Sequence, residues 1–172
     1  MRNIVIECVS VSKGVSEGEA LVTDQPMCLY DSLDPKSGLI VNRRHELYGE
    51  CVSGKIFFFP YGIGSSTSAA TILEASRCKK APNAIVNLET EPIIAVGALL
   101  AERLYGKIIP IVHRPKTNPA EVIKHHSVRV NADLGLIEVL EPGRDSTTLK
   151  QRKLKTAKRP HNVFKKSPTR LN

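Results

Sequence analysis

The sequence has no apolar run long enough to cross a membrane. Its longest apolar stretch lies between Pro92 and Leu100, whereas a membrane-spanning helix needs about 20 apolar residues. It also shows no apolar segment typical of a secretory leader, because Met1 and Arg2 are followed almost directly by a short strand-like run. We therefore expect a cytoplasmic protein with no membrane partner.

Cysteine is scarce, and its spacing excludes the common cysteine-based sites. The four cysteines form no C-x-x-C pair, and no histidine lies at a ligand spacing beside any of them. We expect reduced thiols, as is usual in a cytoplasm, and no metal site built by this chain alone. The four residues are Cys8, Cys28, Cys51 and Cys78.

Acidic residues are nearly absent from the carboxyl-terminal part of the chain. Residues 144–172 carry ten Lys or Arg and the single acid Asp145, whereas the rest of the chain has fifteen basic and sixteen acidic groups. We therefore expect a folded domain at 1–143 and a basic tail at 144–172, which is predicted to be disordered because it has no apolar pattern. The nearly neutral body argues against a folded nucleic-acid-binding domain. A non-catalytic binding module tethered by the tail stays an alternative.

Alternating strands and helices predict an α/β domain with a mixed sheet. Short runs rich in Val and Ile predict strands, and longer segments with an apolar face predict helices. The second helix is apolar on nearly every side, so we expect it to be buried. Residues 24–54 contain several Pro and Gly and are predicted to form an ordered loop. The predicted strands are 4–11, 19–23, 55–59, 84–88, 107–112, 127–130 and 136–140, and the predicted helices are 65–78 and 92–105.

A glycine turn followed by hydroxyl residues joins the strand at 55–59 to the first helix. The turn reads YGIGSST at 61–67. Free N–H groups at a helix start bind anions, so a substrate carboxylate or phosphate would fit there. The turn is not a P-loop, because no lysine follows the glycine, and it is not G-x-S-x-G, because no glycine lies two residues after either serine. From the residues alone, helix capping by the serines is the competing interpretation.

Several strings, taken together and in order over residues 4–140, resemble the small, swivelling domain of the aconitase X family. Each string alone is a weak signal, but the set is specific. The strings are GEALVTDQP at 18–26, LDPKSG at 33–38, RHELYGE at 44–50, SGK at 53–55, FP at 59–60, GSST at 64–67, APNAIV at 81–86 and EPIIAVGA at 91–98.

The resemblance implies a swivelling β/β/α domain which, as a separate chain, pairs with a large subunit. It implies a dehydratase, a hydro-lyase that removes water from a small hydroxy acid. The large subunit would hold an iron–sulfur cluster, and this chain alone would bind no cofactor. For the substrate, the GSST string and AERLYG at 101–106 resemble bacterial-type small subunits and favour cis-3-hydroxy-L-proline over mevalonate 5-phosphate.

The resemblance also implies that a serine of the small domain removes the carbon-bound proton. By motif this base is Ser65, with Ser66 as the fallback, and Gly64, Ser66 and Thr67 would contact substrate. A serine hydroxyl is a very weak acid, so its alkoxide needs nearby positive charge and hydrogen bonds. The helix start supplies part of this.

Three residues of the loop at 24–54 are candidates for the remaining stabilisation. Arg43 and Arg44 are local cations, although both also fit as ordinary surface charges. His45 is a candidate for orienting substrate or for closing the subunit contact, with a structural role in the loop as the alternative. We expect a surface role for His113, which ends a predicted strand.

Overall fold

The computed structural model describes residues 4–140 of the chain. The predicted domain boundary at 143 and the basic tail at 144–172 lie outside these residues. Within the described part, no helix is both long and apolar enough to span a bilayer.

Eight strands and four helices are formed between residues 4 and 140. The two longer helices are those predicted from the apolar pattern, and two single-turn helices were not predicted. The strands are β1 (Val5–Glu7), β2 (Val9–Ser12), β3 (Val15–Val22), β4 (Ile56–Phe58), β5 (Ala84–Val86), β6 (Ile111–His113), β7 (Ser127–Asn131) and β8 (Leu136–Leu140), and the helices are α1 (Leu29–Ser32), α2 (Thr67–Arg77), α3 (Pro92–Tyr105) and α4 (Ala120–Ile123).

The strands form one mixed sheet in the order β1-β8-β7-β3-β4-β5-β6-β2. Strands β3, β4, β5 and β6 are mutually parallel and form its centre, and the remaining pairs are antiparallel. Each of the three residues of β4 and of β5 is buried, as expected for parallel strands that are covered on both faces. The prediction of an α/β domain with a mixed sheet is confirmed.

The predicted strand at 4–11 is wrong in one respect, because the segment forms two strands. Strand β1 pairs with β8, and β2 pairs with β6 at the other end of the sheet. Cys8 alone separates the two strands, so the opposite edges of the sheet must lie next to each other. The sheet therefore curls towards a closed barrel, which removes most of its free edge.

Two buried clusters lie on the two faces of the curled sheet. Phe57 and Phe59 point towards α2 and α3 and pack there with Ile72 and Ile94. Phe58 points to the other face, where it packs with residues of β5, β6, β7 and β8 and with α4. Alternate residues of a strand face opposite sides, so the single run FFF supplies both clusters.

Helix α3 is not buried all round, contrary to the prediction. It packs on α2 through Gly97, whose position would place a Cβ atom 3.0 Å from the carbonyl oxygen of Ala69. The opposite side of the helix is open to solvent, with Val96, Leu99 and Leu104 between 48% and 62% exposed. The sequence pattern alone did not distinguish a buried helix from one with an exposed apolar face.

The loop at 24–54 is ordered, as predicted, and contains the single turn α1. Its apolar residues Met27, Leu33 and Ile40 are buried in the first cluster. Short bridges join Leu33 to Ile40 and Leu39 to Cys51. The predicted strand at 107–112 is wrong at its start, because β6 begins at Ile111.

Candidate functional site

The candidate site lies at the carboxyl edge of the four parallel strands. Strands β3, β4, β5 and β6 end at Val22, Phe58, Val86 and His113, and the segments that follow them meet at this edge. In open α/β sheets ligands commonly bind outside the carboxyl ends of the strands. The glycine turn after β4 therefore occupies a favourable position for a ligand.

Two neighbouring segments hold the glycine turn in place. The Met27 N–H donates to the carbonyl of Tyr61 at 3.1 Å, and the Ile63 N–H donates to the carbonyl of Met27 at 3.0 Å. On the other side the fully buried Asn87 donates its side-chain N–H to the carbonyl of Phe59 at 2.7 Å. These bonds attach the turn and the end of β4 to the segments that follow the flanking strands β3 and β5.

The two glycines of the turn make close approaches, and at Gly64 the backbone conformation itself favours glycine. Gly64 has a φ of +96°, and a Cβ atom there would lie 2.9 Å from Sγ of Cys28. A Cβ atom at Gly62 would lie 2.7 Å from Oε2 of Glu91. A side chain is strained at Gly64, because a positive φ favours glycine, and the two contacts show that the turn lies close to the segment before α1 and to the start of α3.

Ser65 lies two residues before α2 and is exposed to solvent, and its hydroxyl caps the helix because Ser66, which lies between, already has helical dihedrals (φ −55°, ψ −19°). Its Oγ accepts the N–H of Thr67 at 3.1 Å and donates to Oγ1 of Thr67 at 2.8 Å, and its carbonyl accepts the N–H of Ser68 at 3.0 Å. Ser66 is also exposed, and its side chain makes no capping bond. Both the capping role and a reactive role are therefore compatible with the position of Ser65.

The turn presents backbone donors to solvent at this helix start. The N–H groups of Gly64, Ser65 and Ser66 have no hydrogen-bond acceptor among residues 4–140. Free N–H groups of this kind, together with the positive end of the α2 dipole, suit an anion. This arrangement can hold a carboxylate or a phosphate, and it can stabilise negative charge that develops on Oγ of Ser65.

The predicted cationic residues Arg43 and Arg44 lie in a turn of the loop that is held near α1. The side-chain N–H of Asn42 donates to Oγ of Ser32 at 3.4 Å, and the backbone carbonyl of Asn42 accepts the N–H of His45 at 3.1 Å. Both arginines are exposed, and neither forms an ion pair with residues 4–140. No hydrogen bond in the described chain joins Ser65 to Arg43, Arg44 or His45.

His45 is buried beside two carboxylates. Its Nδ1 accepts the N–H of Leu47 at 3.1 Å, so in the neutral ring the proton is on Nε2. Nε2 is buried and has no hydrogen-bond partner among the described residues. Burial lowers the pKa of His45 below its ordinary value, although the charges of Glu46 and Asp31 oppose this shift.

Glu46 was not predicted as a site residue, yet it fixes the end of β3. Its carboxylate accepts the hydroxyl of Thr23 and the N–H of Asp24, the latter at 3.2 Å. The Thr23 hydrogen bond is the main reason why the pKa of Glu46 is lowered. The hydroxyl at the end of a predicted strand was a signal for such a contact, but the partner, 23 residues away, could not be identified.

The prediction of a surface role for His113 is wrong, because its side chain is only 15% exposed. Its Nδ1 accepts the N–H of Thr90 at 3.3 Å. The histidine therefore holds the segment that leads from β5 into α3, close to Glu91 and the glycine turn.

Metal ligands are not assembled within residues 4–140, where no group of three or more His, Cys, Asp or Glu side chains could hold an ion. The four thiols are free and partly buried, and desolvation raises the pKa of Cys8 to about 11. Cluster iron binds thiolates, so these residues do not fit an iron–sulfur cluster held by this chain.

The fold and the site define an α/β domain with an exposed, hydroxyl-rich glycine turn at the carboxyl edge of its parallel strands. The chain belongs to the aconitase X swivel domain family, whose model matches residues 5–139.

Named relatives and a solved structure agree with this assignment. A protein of Methanococcoides burtonii named phosphomevalonate dehydratase small subunit is 34% identical over 82% of this chain and 99% of its own length. A protein of the same name from Archaeoglobus fulgidus is 39% identical over 78% of this chain and 97% of its own length. The crystal structure of Thermococcus kodakaraensis aconitase X in its holo-form superposes with a TM-score of 0.73 at 30% identity, covering 80% of this chain and 99% of that chain.

Proposed function

We propose that the chain is the small subunit of an aconitase-X-type dehydratase, a hydro-lyase that is active together with a large subunit. The observation that carries the proposal is the similarity, over nearly their whole length, to two proteins named phosphomevalonate dehydratase small subunit. The family match includes the complete glycine turn and the loop at 24–54.

For the substrate we propose mevalonate 5-phosphate, in place of the cis-3-hydroxy-L-proline that the sequence motifs favoured. Both relatives described above are named for phosphomevalonate. This substrate carries a carboxylate and a phosphate, and the free N–H groups at the start of α2 suit either group.

The proposed role of Ser65 is to remove the proton from the carbon next to the substrate carboxylate. The electron pair of the broken C–H bond then forms a carbon–carbon double bond, and the carbon–oxygen bond at the neighbouring carbon breaks. The departing hydroxide takes up a proton, equivalent to the one that Ser65 removed, and leaves as water. An alkoxide on Ser65 would be stabilised by the Thr67 N–H, which already donates to Oγ at 3.1 Å, and by the helix dipole. We propose that Arg43 and Arg44 supply further positive charge to the site once the partner is bound.

Ser65 is exposed in the small subunit alone, which is consistent with a site that the large subunit completes. Preorganised donors act most strongly where water is excluded, and the exposed turn cannot exclude water by itself. We propose that the large subunit covers the turn and holds the iron–sulfur cluster, since the cysteines of this chain do not fit one. The purified chain should then be colourless.

Turnover of the assembled two-subunit enzyme tests the proposal. With mevalonate 5-phosphate, Ser65→Ala should lower turnover by about 10² or more, the scale on which loss of a general base acts, and Ser66→Ala should retain most of it. Activity of the chain without a large subunit would refute the two-subunit proposal. Turnover of cis-3-hydroxy-L-proline alone would refute the substrate, and full activity in both serine variants would refute the serine base.

A further inference from the structure

A concave site lies at the amino edge of the parallel strands, opposite the candidate catalytic turn. It is a cavity of about 610 Å³ formed by the ends of α2 and α3 and by the segments that lead into β4, β5 and β6. Its volume is in the range of small-molecule sites. The lining residues are Ser53, Gly54, Ser76, Arg77, Lys79, Ala81, Asn83, Tyr105, Gly106 and Lys107.

The charged side chains that line this cavity are all positive. Three cations line it and no carboxylate does. Arg77 is already held by Glu74 through two hydrogen bonds, whereas Lys79 and Lys107 form no ion pair with any residue between 4 and 140. Two full positive charges therefore face the cavity without a counter-charge in the described chain.

Lys107 is placed where an unpaired cation is costly. Its side chain is partly buried, and this burial lowers the pKa of its ammonium group below the ordinary value. A charged group removed from water is usually paired or hydrogen-bonded. A bound anion would provide the missing partner.

Lys79 adds an independent observation from the backbone. It follows Cys78, the C-cap of α2, and lies in the left-handed region with a φ of +59°, a conformation for which glycine is usual after a helix. The residue that follows α3 in this conformation is a glycine, Gly106, with a φ of +64°. A non-glycine residue in this conformation costs about 1 kcal/mol or more, and here it places an unpaired lysine at the rim of the cavity.

These lysines could instead stabilise the negative ends of the two helix dipoles, but those ends offset only part of the positive charge of the cavity. Each helix end contributes about half a negative charge. The three cations carry three positive charges, and Glu74 with the two helix ends offsets about two of them, so about one positive charge remains. We propose that this cavity binds a small molecule bearing phosphate or carboxylate groups, with Lys79 and Lys107 as the residues that contact its charge.

Amide chemical shifts of the full isotope-labelled chain, titrated separately with pyrophosphate and with citrate at constant ionic strength, test this site. We expect saturable shifts at Lys79, Gly106 and Lys107. The dissociation constant should rise about tenfold or more in Lys107→Met and in Lys79→Met, because each variant removes one charged contact. Comparing the two anions decides between phosphate and carboxylate chemistry.

Lys116→Met is the matched control, because Lys116 lies beyond the carboxyl end of β6 and pairs with Glu7 on the surface. It should leave the dissociation constant unchanged. Shifts that do not saturate, an equal effect of the three lysine variants, or shifts confined to 64–67 would each overturn the proposal. The experiment measures binding rather than turnover, so it is independent of the proposed dehydratase function.

Discussion

Ser65 and Thr67 are joined by two hydrogen bonds, one between their hydroxyl groups at 2.8 Å and one from the Thr67 N–H to Oγ of Ser65 at 3.1 Å. The same oxygen that would act as the base is therefore also the cap of α2. Ser66 makes no such capping bond. We therefore expect the two adjacent serines to differ both in what they contribute to the stability of α2 and in their reactivity.

The capping difference gives a prediction for the isolated chain. Ser65→Ala should lower the free energy of unfolding by about 1 kcal/mol, the usual loss for a capping serine. Ser66→Ala should change it by less than about 0.5 kcal/mol, as for other exposed positions. Urea denaturation of the two variants measures both values. An equal loss in the two would show that Ser65 is not the cap.

Asn87 should be essential for the position of the glycine turn. It is fully buried, donates to the carbonyl of Phe59 at 2.7 Å and accepts the hydroxyl of Thr90 at 3.0 Å. Asn87→Ala leaves the Phe59 carbonyl without its donor, which should cost about 1–3 kcal/mol of unfolding free energy. Thr90→Val is the control, because it removes only the second bond. If Thr90→Val costs as much as Asn87→Ala, the Phe59 contact is not the important one.

Gly97 should tolerate no side chain, although alanine favours helices. Ala in place of Gly gains about 1 kcal/mol of helix propensity. The new Cβ atom would lie 3.0 Å from both the carbonyl oxygen of Ala69 and Cβ of Ile72, and overpacking of this kind costs about 1–3 kcal/mol. We expect Gly97→Ala to be destabilising by thermal denaturation, whereas Leu99→Ala on the exposed side stays within about 0.5 kcal/mol. A more stable Gly97→Ala would show that the two helices separate easily.

The parts of the fold that were predictable from sequence are those with local signals. Helix α3 begins at Pro92 and ends before Gly106, because Pro and Gly mark helix ends in the chain itself. The start of α2 near Ser65 and the hairpin of β7 and β8 were also predictable, because residues next to them in the chain mark a helix start and a turn. The division of residues 4–11 into β1 and β2 was not, because it depends on which distant strands each half meets.

The residues of the glycine turn could be predicted from the sequence, whereas the contacts that hold the turn in place could not. The turn at 61–67 is a local motif, so its residues could be named from their order. The contact of Glu46 with Thr23 and the bond from Asn87 to Phe59 join residues 23 and 28 positions apart. No local signal identifies which residues pair, since the tertiary fold alone brings them together.

The basic tail should be dispensable for the folded domain. Residues 144–172 lie outside the described structure, and in the sequence they carry ten cations and no apolar pattern. The chain truncated after Gly143 should keep the unfolding free energy of the full chain within about 0.5 kcal/mol, measured in urea. Complete loss of soluble protein on truncation would show instead that the tail belongs to the domain.

Burial of His45 makes the stability of the chain depend on pH in a defined direction. Its pKa in the folded chain is lowered, mainly by desolvation and against the charges of Glu46 and Asp31. Between the lowered pKa and the ordinary value of about 6.5, the unfolded chain binds more protons than the folded chain. The free energy of unfolding should therefore fall as the pH decreases through this window. Glu46, whose pKa is also lowered, loses its contribution only at still lower pH, as the pH falls below the ordinary carboxylate range.

His45→Gln should remove this dependence, because glutamine does not titrate. Urea denaturation at about pH 7 and about pH 5 should show a larger loss of unfolding free energy for the wild-type chain than for His45→Gln. His125→Asn is the matched control, since His125 is exposed and has a φ of +64°, a conformation that asparagine tolerates. It should behave like the wild type. If His45→Gln loses as much stability as the wild type over the same interval, the buried ring is not the group that titrates.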